Sequence, residues 1–269
     1  MPVIDVRGLS INYEIHGDGS PVVLISGTGA DLRQNPARGR GPLERNFRVL
    51  MYDQRGLGRT GKPDVPYTMA DYAADCVGLM DALGIERADI VGVSFGGMVA
   101  QHVAVDFPDR VGRLVLACTS AGGAGGASFD LLSVFGMETD ARNRIVLPLL
   151  DTRNDLSVDP PSFAPMLDML VPVSFAGKPP LNADDPAWAV GARRQLEARA
   201  DHDLWDRLGE VRAKTLVVGG RFDGQAPPEN VVRLAGRIPG ARLQFFDGGH
   251  LFLLQDRSAW PAVVAFLAD

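Results

Sequence analysis

A serine lies between glycines at the point where a run of apolar residues gives way to a helical pattern, in the segment Gly92-Val93-Ser94-Phe95-Gly96. Residues 88–93 predict a buried strand, and residues 96–104 predict the helix packed behind it. A strand that turns straight into a helix strains its middle residue and projects that side chain clear of the sheet, while small neighbours let other backbone approach. The pattern predicts that Ser94 is a nucleophile; the alternative interpretation is a glycine-rich turn with an inert serine.

A serine hydroxyl is a poor nucleophile at neutral pH and needs a base within hydrogen-bond reach. His250 is the candidate base, because it follows two glycines just after the last apolar strand, where a loop can reach over the carboxyl edge of a parallel sheet. The alternative is a loop histidine that caps the following helix. The other histidines have less favourable positions: His16 in a first hairpin, His102 about two helical turns beyond the serine, and His202 where a solvated polar face is expected.

A carboxylate is needed to orient the base and to stabilise its positive charge. Asp223 meets this need, since the apolar strand at 215–218 ends in two glycines and delivers the acid at its carboxyl end, ahead of Pro227-Pro228. Asp247 is a rival, but its place three residues before His250 favours a role in shaping the turn. The chain order serine, aspartate, histidine is one that this triad adopts on α/β sheets.

A fourth segment, Asp53-Gln54-Arg55-Gly56-Leu57-Gly58-Arg59-Thr60, forms a turn directly after a predicted strand. With the serine turn, the acid turn and the histidine loop, it makes the chain resemble the α/β-hydrolase superfamily from its first hairpin to its last helix. The resemblance is to the branch that holds esterases, enol-lactonases and carbon-carbon-bond hydrolases. It implies that Asp53 and Arg55 brace their loop and take no part in chemistry.

The same resemblance implies an oxyanion hole built from two backbone N–H groups, those of Thr28 and Phe95. Members of the family usually carry His-Gly in the loop after the third strand, whereas this chain has Ser26-Gly27-Thr28-Gly29. The loop therefore lacks the histidine side chain that normally braces it, and Ser26 is the candidate substitute.

Strand and helix patterns alternate after an opening hairpin, which predicts a mostly parallel sheet with an antiparallel edge. The fold class implied is α/β, an α/β-hydrolase fold with a mostly parallel, twisted, eight-stranded sheet, helices on both faces and an inserted helical cap. Residues 1–121 and 210–269 form the expected core domain, and residues 122–209 the cap, or lid. The alternation stops in the cap interval, which holds eight of the 19 prolines: Pro148, Pro160, Pro161, Pro165, Pro172, Pro179, Pro180 and Pro186.

Composition narrows the class of protein. With 269 residues, 46% hydrophobic and 22% charged, the chain is long enough for one large α/β domain with an ample core. A net charge of -6 without a basic stripe argues against nucleic acid as a partner. Because no signal-like or membrane-length apolar segment is present, the sequence predicts a cytoplasmic protein with no membrane partner.

Cys76 and Cys118 are the only cysteines, and each is expected to be a small buried residue and not half of a disulfide. Neither Cys-x-x-Cys nor His-Glu-x-x-His spacing occurs, so no metal is predicted, and the triad needs no cofactor. The expected partner is a small-molecule substrate. The sequence does not indicate an oligomeric state.

The expected activity is that of a serine hydrolase that cleaves an ester, lactone or related acyl bond through an acyl-enzyme, with Ser94, Asp223 and His250 as the triad. The apolar residues of the cap favour a small substrate with a hydrophobic acyl or ring portion. Three alternatives stay open. They are a carbon-carbon-bond hydrolase, a cofactor-free lyase or oxygenase in which His250 is the base, and a non-catalytic metabolite-binding protein on the same fold.

Overall fold

The computed structural model describes residues 1–34, 41–154 and 185–269. Its strands are β1 Val3–Val6, β2 Leu9–His16, β3 Pro21–Ile25, β4 Arg48–Tyr52, β5 Ala88–Val93, β6 Val111–Ala117, β7 Lys214–Gly220 and β8 Arg242–Phe246. They form one eight-stranded sheet in the order β1-β2-β4-β3-β5-β6-β7-β8. β1 pairs antiparallel with β2, and β2 with β4, whereas the other neighbouring strands run parallel. The predicted mixed sheet with an antiparallel edge is confirmed.

Helices follow the strands, as the alternating pattern predicts. In the described ranges they are α1 Met69–Ala82, α2 Phe95–Asp106, α3 Thr139–Leu150, α4 Trp188–Ala200, α5 Pro228–Arg237, α6 Phe252–Gln255 and α7 Ala259–Ala268. α1, α2 and α5 each follow or precede a parallel strand, so the crossovers that parallel pairing requires are supplied by helices.

The core lies on both faces of the sheet. Successive residues of a strand point to opposite faces, and in β3 Val22 and Val23 accordingly join two different apolar clusters. The cluster that contains Val23 includes Tyr72 of α1 and residues of α2 and α5, whereas the cluster that contains Val22 includes Phe266 of α7. The expected helices on both faces are therefore present.

The chain between β6 and β7, residues 122–209, is referred to below as the insert. In its described part, a third apolar cluster joins α3 to α4 through Val146 and Leu196, with Leu131 and Val134 beside them. Residues 155–184, which carry most of the prolines of this interval, lie outside the described residues. The division of the chain into a core domain and a cap stays a prediction.

Cys76 and Cys118 are both buried with free thiols, as predicted. Burial raises the pKa of the Cys76 thiol to about 12, so this group stays protonated at neutral pH. None of the described helices combines the length and the apolar character needed to cross a membrane.

The prediction that His202 lies on a solvated polar face is wrong. The residue is 6% exposed, and its Nε2 donates to the carbonyl oxygen of Ser120 at 3.1 Å. Its ring centroid lies 5.4 Å from that of His102 on α2. His202 follows the end of α4 in sequence and is buried by packing against a helix one hundred residues earlier, which leaves no local signal in the sequence.

Burial, reinforced by His102 and Arg199, lowers the pKa of His202 to about 3. In the unfolded chain the imidazole of His202 binds a proton near pH 6.5, whereas in the folded chain it stays neutral at that pH. The free energy of unfolding therefore falls as the pH drops below 6.5, by about 2 kcal/mol at pH 5. We expect His202→Gln, whose amide can still donate to Ser120, to remove much of this acid sensitivity. Urea unfolding of both proteins at neutral and mildly acidic pH measures the difference, and equal sensitivity would contradict the expectation.

Candidate active site

Ser94 lies in the turn between β5 and α2 with a φ of 55°, a left-handed backbone that residues other than glycine rarely adopt. A Cβ at Gly92 would collide with the carbonyl oxygen of Gly96, and a Cβ at Gly96 would collide with that of Ile25 at the end of β3. The Ser94 N–H donates to the carbonyl oxygen of Ala117 on β6 at 2.8 Å. The predicted strand-turn-helix is confirmed, and its glycines are required by close backbone contacts.

His250 lies between Ser94 and Asp223. Its Nδ1 donates to Oδ2 of Asp223 at 2.8 Å, and its Nε2 accepts from the Ser94 hydroxyl, whose Oγ is 3.0 Å away. The other oxygen of Asp223 accepts from the backbone amides of Gln225 and Ala226, each at 2.8 Å. Asp223 is 2% exposed, so its one remaining strong interaction orients the imidazole with Nε2 available for a proton. An arrangement of this kind can take a proton from a hydroxyl that attacks a carbonyl carbon.

The rival carboxylate, Asp247, makes a different contact. Its side chain is 73% exposed, and its Oδ1 accepts from Arg153 at 2.9 Å. His250 is hydrogen-bonded to Asp223 instead. The structure therefore brings together the three residues that the sequence singled out for the triad.

The end of α3 in the insert lies between the loop after β7 and the loop after β8. The Leu149 carbonyl accepts from the Gly224 N–H at 3.0 Å, and the Leu150 carbonyl accepts from the His250 N–H at 2.6 Å. A Cβ at Gly249 would collide with the same Leu150 oxygen. Backbone of the insert thus contacts both loops on which the proton relay depends.

A glutamine on α6 strengthens this contact. Oε1 of Gln255 accepts from the Gly249 N–H at 2.8 Å, and its Nε2 donates to Asp151 at 2.9 Å. Burial acts to raise the pKa of Asp151, but hydrogen bonds from Arg153 and Gln255 hold that pKa below its ordinary value, so the carboxylate stays ionised. The sequence analysis missed this pair, because its members are 104 residues apart and neither carries chemistry of its own.

The expectation that Asp53 and Arg55 brace their loop is confirmed. Asp53 accepts from the backbone amides of Leu32 at 2.8 Å and Arg59 at 2.9 Å. Arg55 donates to both carboxylate oxygens of Asp75, at 2.6 and 2.9 Å. Burial raises the pKa of Asp53, although the hydrogen bonds from the Leu32 and Arg59 amides act to lower it.

The two predicted oxyanion donors belong to segments that border Ser94. Gly27 approaches the serine so closely that a Cβ there would lie 3.4 Å from the Ser94 Cβ, and the next residue, Thr28, lines the cavity above it. Phe95 is the first residue of α2, and such a residue has no intrahelical acceptor for its N–H. The assignment of Thr28 and Phe95 to an oxyanion hole stays a prediction.

Two glutamines hold the loop after β3, and this corrects the expectation for Ser26. Nε2 of Gln54 donates to the Ser26 carbonyl oxygen at 2.8 Å, and Oε1 of Gln195 on α4 accepts from the Gly29 N–H at 2.9 Å. Ser26 thus contributes its backbone, and the bracing side chains come from elsewhere. Gln54 could have been suspected, since it falls within the turn motif. Gln195 is 166 residues from its partner and has no local signal.

A cavity of about 330 Å³ opens over Ser94 and His250. Apolar side chains make up most of its wall, which suits a small ligand with a hydrophobic portion. They come from the β3 side, the insert and the C-terminal part of the chain: Leu24, Leu32, Leu131, Val146, Leu150, Leu251, Leu253, Leu254 and Trp260. Within residues 1–34, 41–154 and 185–269, no group of three or more His, Cys, Asp or Glu is placed to hold a metal ion.

We expect Gln255→Leu to slow the reaction of Ser94 with a fluorophosphonate about tenfold. The substitution removes the partner of the Gly249 N–H and of Asp151 and so loosens the loop that carries His250. Gln244→Leu, the same change at an exposed position of β8, is the matched control and should stay within about twofold of wild type. Intact-mass measurement of adduct formation gives both rates. Equal rates for the two variants would show that Gln255 does not position the histidine.

Known proteins similar to this chain include hydrolases and a lactonase. A 2-hydroxy-6-oxo-2,4-heptadienoate hydrolase of Pseudomonas putida is 32% identical over 274 residues, which cover 97% of this chain and 94% of that protein. A 2-hydroxy-6-oxo-6-phenylhexa-2,4-dienoate hydrolase of Comamonas testosteroni is 30% identical over 260 residues, covering 90% and 85%. The crystal structure of the enol-lactonase from Burkholderia xenovorans LB400 matches with a TM-score of 0.80 and 27% identity over 100% of both chains.

The family model described as the alpha/beta hydrolase fold matches residues 20–256, which is most of the chain. The match spans the serine turn, the acid loop and the histidine loop described above. The chain therefore belongs to the α/β-hydrolase fold family.

Proposed function

We propose that the protein is a serine hydrolase that cleaves an ester, lactone or related acyl bond of a small, partly hydrophobic substrate through an acyl-enzyme. The observation that carries the proposal is the hydrogen-bonded line from Ser94 through His250 to Asp223, with separations of 3.0 and 2.8 Å. A hydroxyl held in this way has a base in place before substrate arrives, and the base has a carboxylate that stabilises its charged form.

In the proposed first half-reaction, the Ser94 proton passes to Nε2 of His250 as Oγ bonds to the substrate carbonyl carbon. The carbonyl oxygen becomes an oxyanion, which the N–H groups of Thr28 and Phe95 stabilise. Collapse of this intermediate breaks the bond to the leaving group, which takes the proton from His250. In the second half-reaction His250 activates water, which releases the acid and restores Ser94.

The cavity wall supports the hydrophobic part of the proposed substrate. Leu131, Val146 and Leu150 reach it from the insert, and Leu253 and Trp260 reach it from the opposite side. We propose on this basis that the insert acts as a cap over the site. Water excluded by such a wall strengthens the hydrogen bonds to a developing oxyanion.

A second candidate is hydrolysis of a carbon-carbon bond, because the two relatives described above are named as dienoate hydrolases. The same residues could serve it, with His250 first moving a proton on a vinylogous diketone. The feature common to both candidates is a carbonyl carbon attacked at the position over Ser94.

We expect the wild-type protein to form one fluorophosphonate adduct on Ser94, Ser94→Ala to form none, and His250→Ala to react far more slowly, because the hydroxyl then has no base. Hydrolysis of p-nitrophenyl esters should fall in Ser94→Ala by a factor of about 10⁶. Wild-type protein that is folded yet gives no adduct and no turnover would contradict the proposal and favour a binding protein. Turnover that survives Ser94→Ala would favour a lyase or oxygenase.

A substrate panel separates the two hydrolytic candidates. It consists of p-nitrophenyl esters of rising chain length, several lactones and one vinylogous diketone. We expect kcat/KM to be greatest for an ester or a lactone, with a dependence on chain length that reports the depth of the cavity. A diketone that exceeds the best ester and lactone would favour the carbon-carbon-bond hydrolase.

A further inference from the structure

Gln225 is a buried polar residue in the wall of the cavity. It is 5% exposed and lies two residues beyond Asp223, in the loop after β7. Within the part of the chain that the structure describes, no hydrogen bond joins its side-chain amide to another residue. An amide that lines a cavity without a protein partner is a candidate for contact with a ligand.

The backbone of Gln225 is firmly held, in contrast to its side chain. Its N–H donates to Oδ1 of Asp223 at 2.8 Å, and its carbonyl oxygen accepts from the Phe129 N–H at 2.8 Å. The next residue, Ala226, donates to the same Oδ1, and Pro227 follows. Only the side-chain torsions of Gln225 remain free. A fixed backbone in the loop after β7 therefore positions the amide at the cavity wall.

The cavity wall that includes Gln225 is mostly apolar. Leu131, Val146 and Leu150 share the cavity wall with Gln225. A hydrocarbon chain that filled the cavity would displace water from the amide and leave it unpaired, which is costly in such an environment. A ligand with a neutral oxygen at the right place would instead accept from the amide nitrogen or, as a hydroxyl, donate to the amide oxygen.

We propose that Gln225 is a specificity-determining residue that selects substrates bearing a second neutral oxygen, such as a keto, ether, hydroxyl or amide group, apart from the carbonyl that is attacked. This inference rests on the proposed hydrolase function for its reaction. It adds a substrate class to that function: oxygenated acyl compounds are favoured over plain alkyl esters of equal length. Discrimination arises because the hydrocarbon member of a pair leaves the amide unpaired.

Two isosteric substrate pairs test the proposal. p-Nitrophenyl levulinate against p-nitrophenyl pentanoate places the extra oxygen in the acyl part, and methoxyethyl acetate against butyl acetate places it in the alcohol part. We expect wild-type protein to favour the oxygenated member of at least one pair about tenfold in kcat/KM. In Gln225→Met, a variant of similar length without the amide, that preference should disappear.

Controls separate specificity from damage to the site. Gln244→Met makes the same change at an exposed position of β8 and should keep the wild-type preference. The readout is the ratio of kcat/KM within each pair, because damage to the triad lowers kcat/KM for both members alike and leaves their ratio unchanged. A ratio in Gln225→Met equal to that of wild type in both pairs would overturn the proposal.

A binding measurement tests the inference without turnover and without altering Gln225. Methoxyethyl methyl ketone and butyl methyl ketone are titrated against Ser94→Ala, with the fluorescence of Trp260 in the cavity wall as the signal. Tighter binding of the methoxyethyl compound is expected, and equal or weaker binding would contradict the role of Gln225. If wild-type protein forms no adduct and hydrolyses no ester, the proposed function fails, yet this titration still decides whether the cavity selects an oxygenated ligand.

Discussion

Ser94 keeps its left-handed backbone conformation because close contacts and a hydrogen bond with the surrounding strands and helix fix the chain on both sides of it. Glycine at 92 and at 96 lets β3, β5 and α2 approach more closely than any Cβ would permit, and β6 takes up the serine N–H. A residue held in this way stores about 1–3 kcal/mol of backbone strain, which the surrounding sheet sustains. The position of the Ser94 hydroxyl is therefore set by the centre of the fold. The loops after β7 and β8 then have to place Asp223 and His250 within hydrogen-bond distance of one another and of that hydroxyl.

The insert helps to hold the loops of the site at two places. The end of α3 supplies carbonyl oxygens to the loops after β7 and β8, and α4 supplies Gln195 to the loop after β3. Both contacts lie next to groups with a proposed role in the chemistry, His250 in one case and Thr28 in the other. The insert thus contributes to the geometry of the site as well as to the wall of the cavity.

The parts of the site that could be predicted are those with a local cause. The turn around Ser94 is dictated by sterics within a few residues, and Asp223 and His250 follow strands whose carboxyl ends must share one edge of a parallel sheet. The bracing role of Asp53 and Arg55 could be predicted because both belong to one short turn motif.

Gln195, Gln255 and the burial of His202 could not be predicted in the same way. Each depends on a contact between segments far apart in the chain, and a glutamine or histidine in a helical pattern looks the same whether its neighbour is water or a distant loop. Gln225 is an intermediate case. Its place near Asp223 is evident in the sequence, but only the structure shows that its side chain lines the cavity.

The contacts at the end of α3 have an unusual pattern of mutational tolerance. Leu149 and Leu150 act through main-chain oxygens, which every residue type possesses, so many substitutions would preserve them. A deletion or insertion within α3 would instead shift those oxygens by about 1.5 Å per residue and turn them away from their donors. The length of this helix is thus expected to be conserved even where its side chains vary, the reverse of what most surface connections permit, whereas Val146 and Leu150 are also constrained by the cavity that they line.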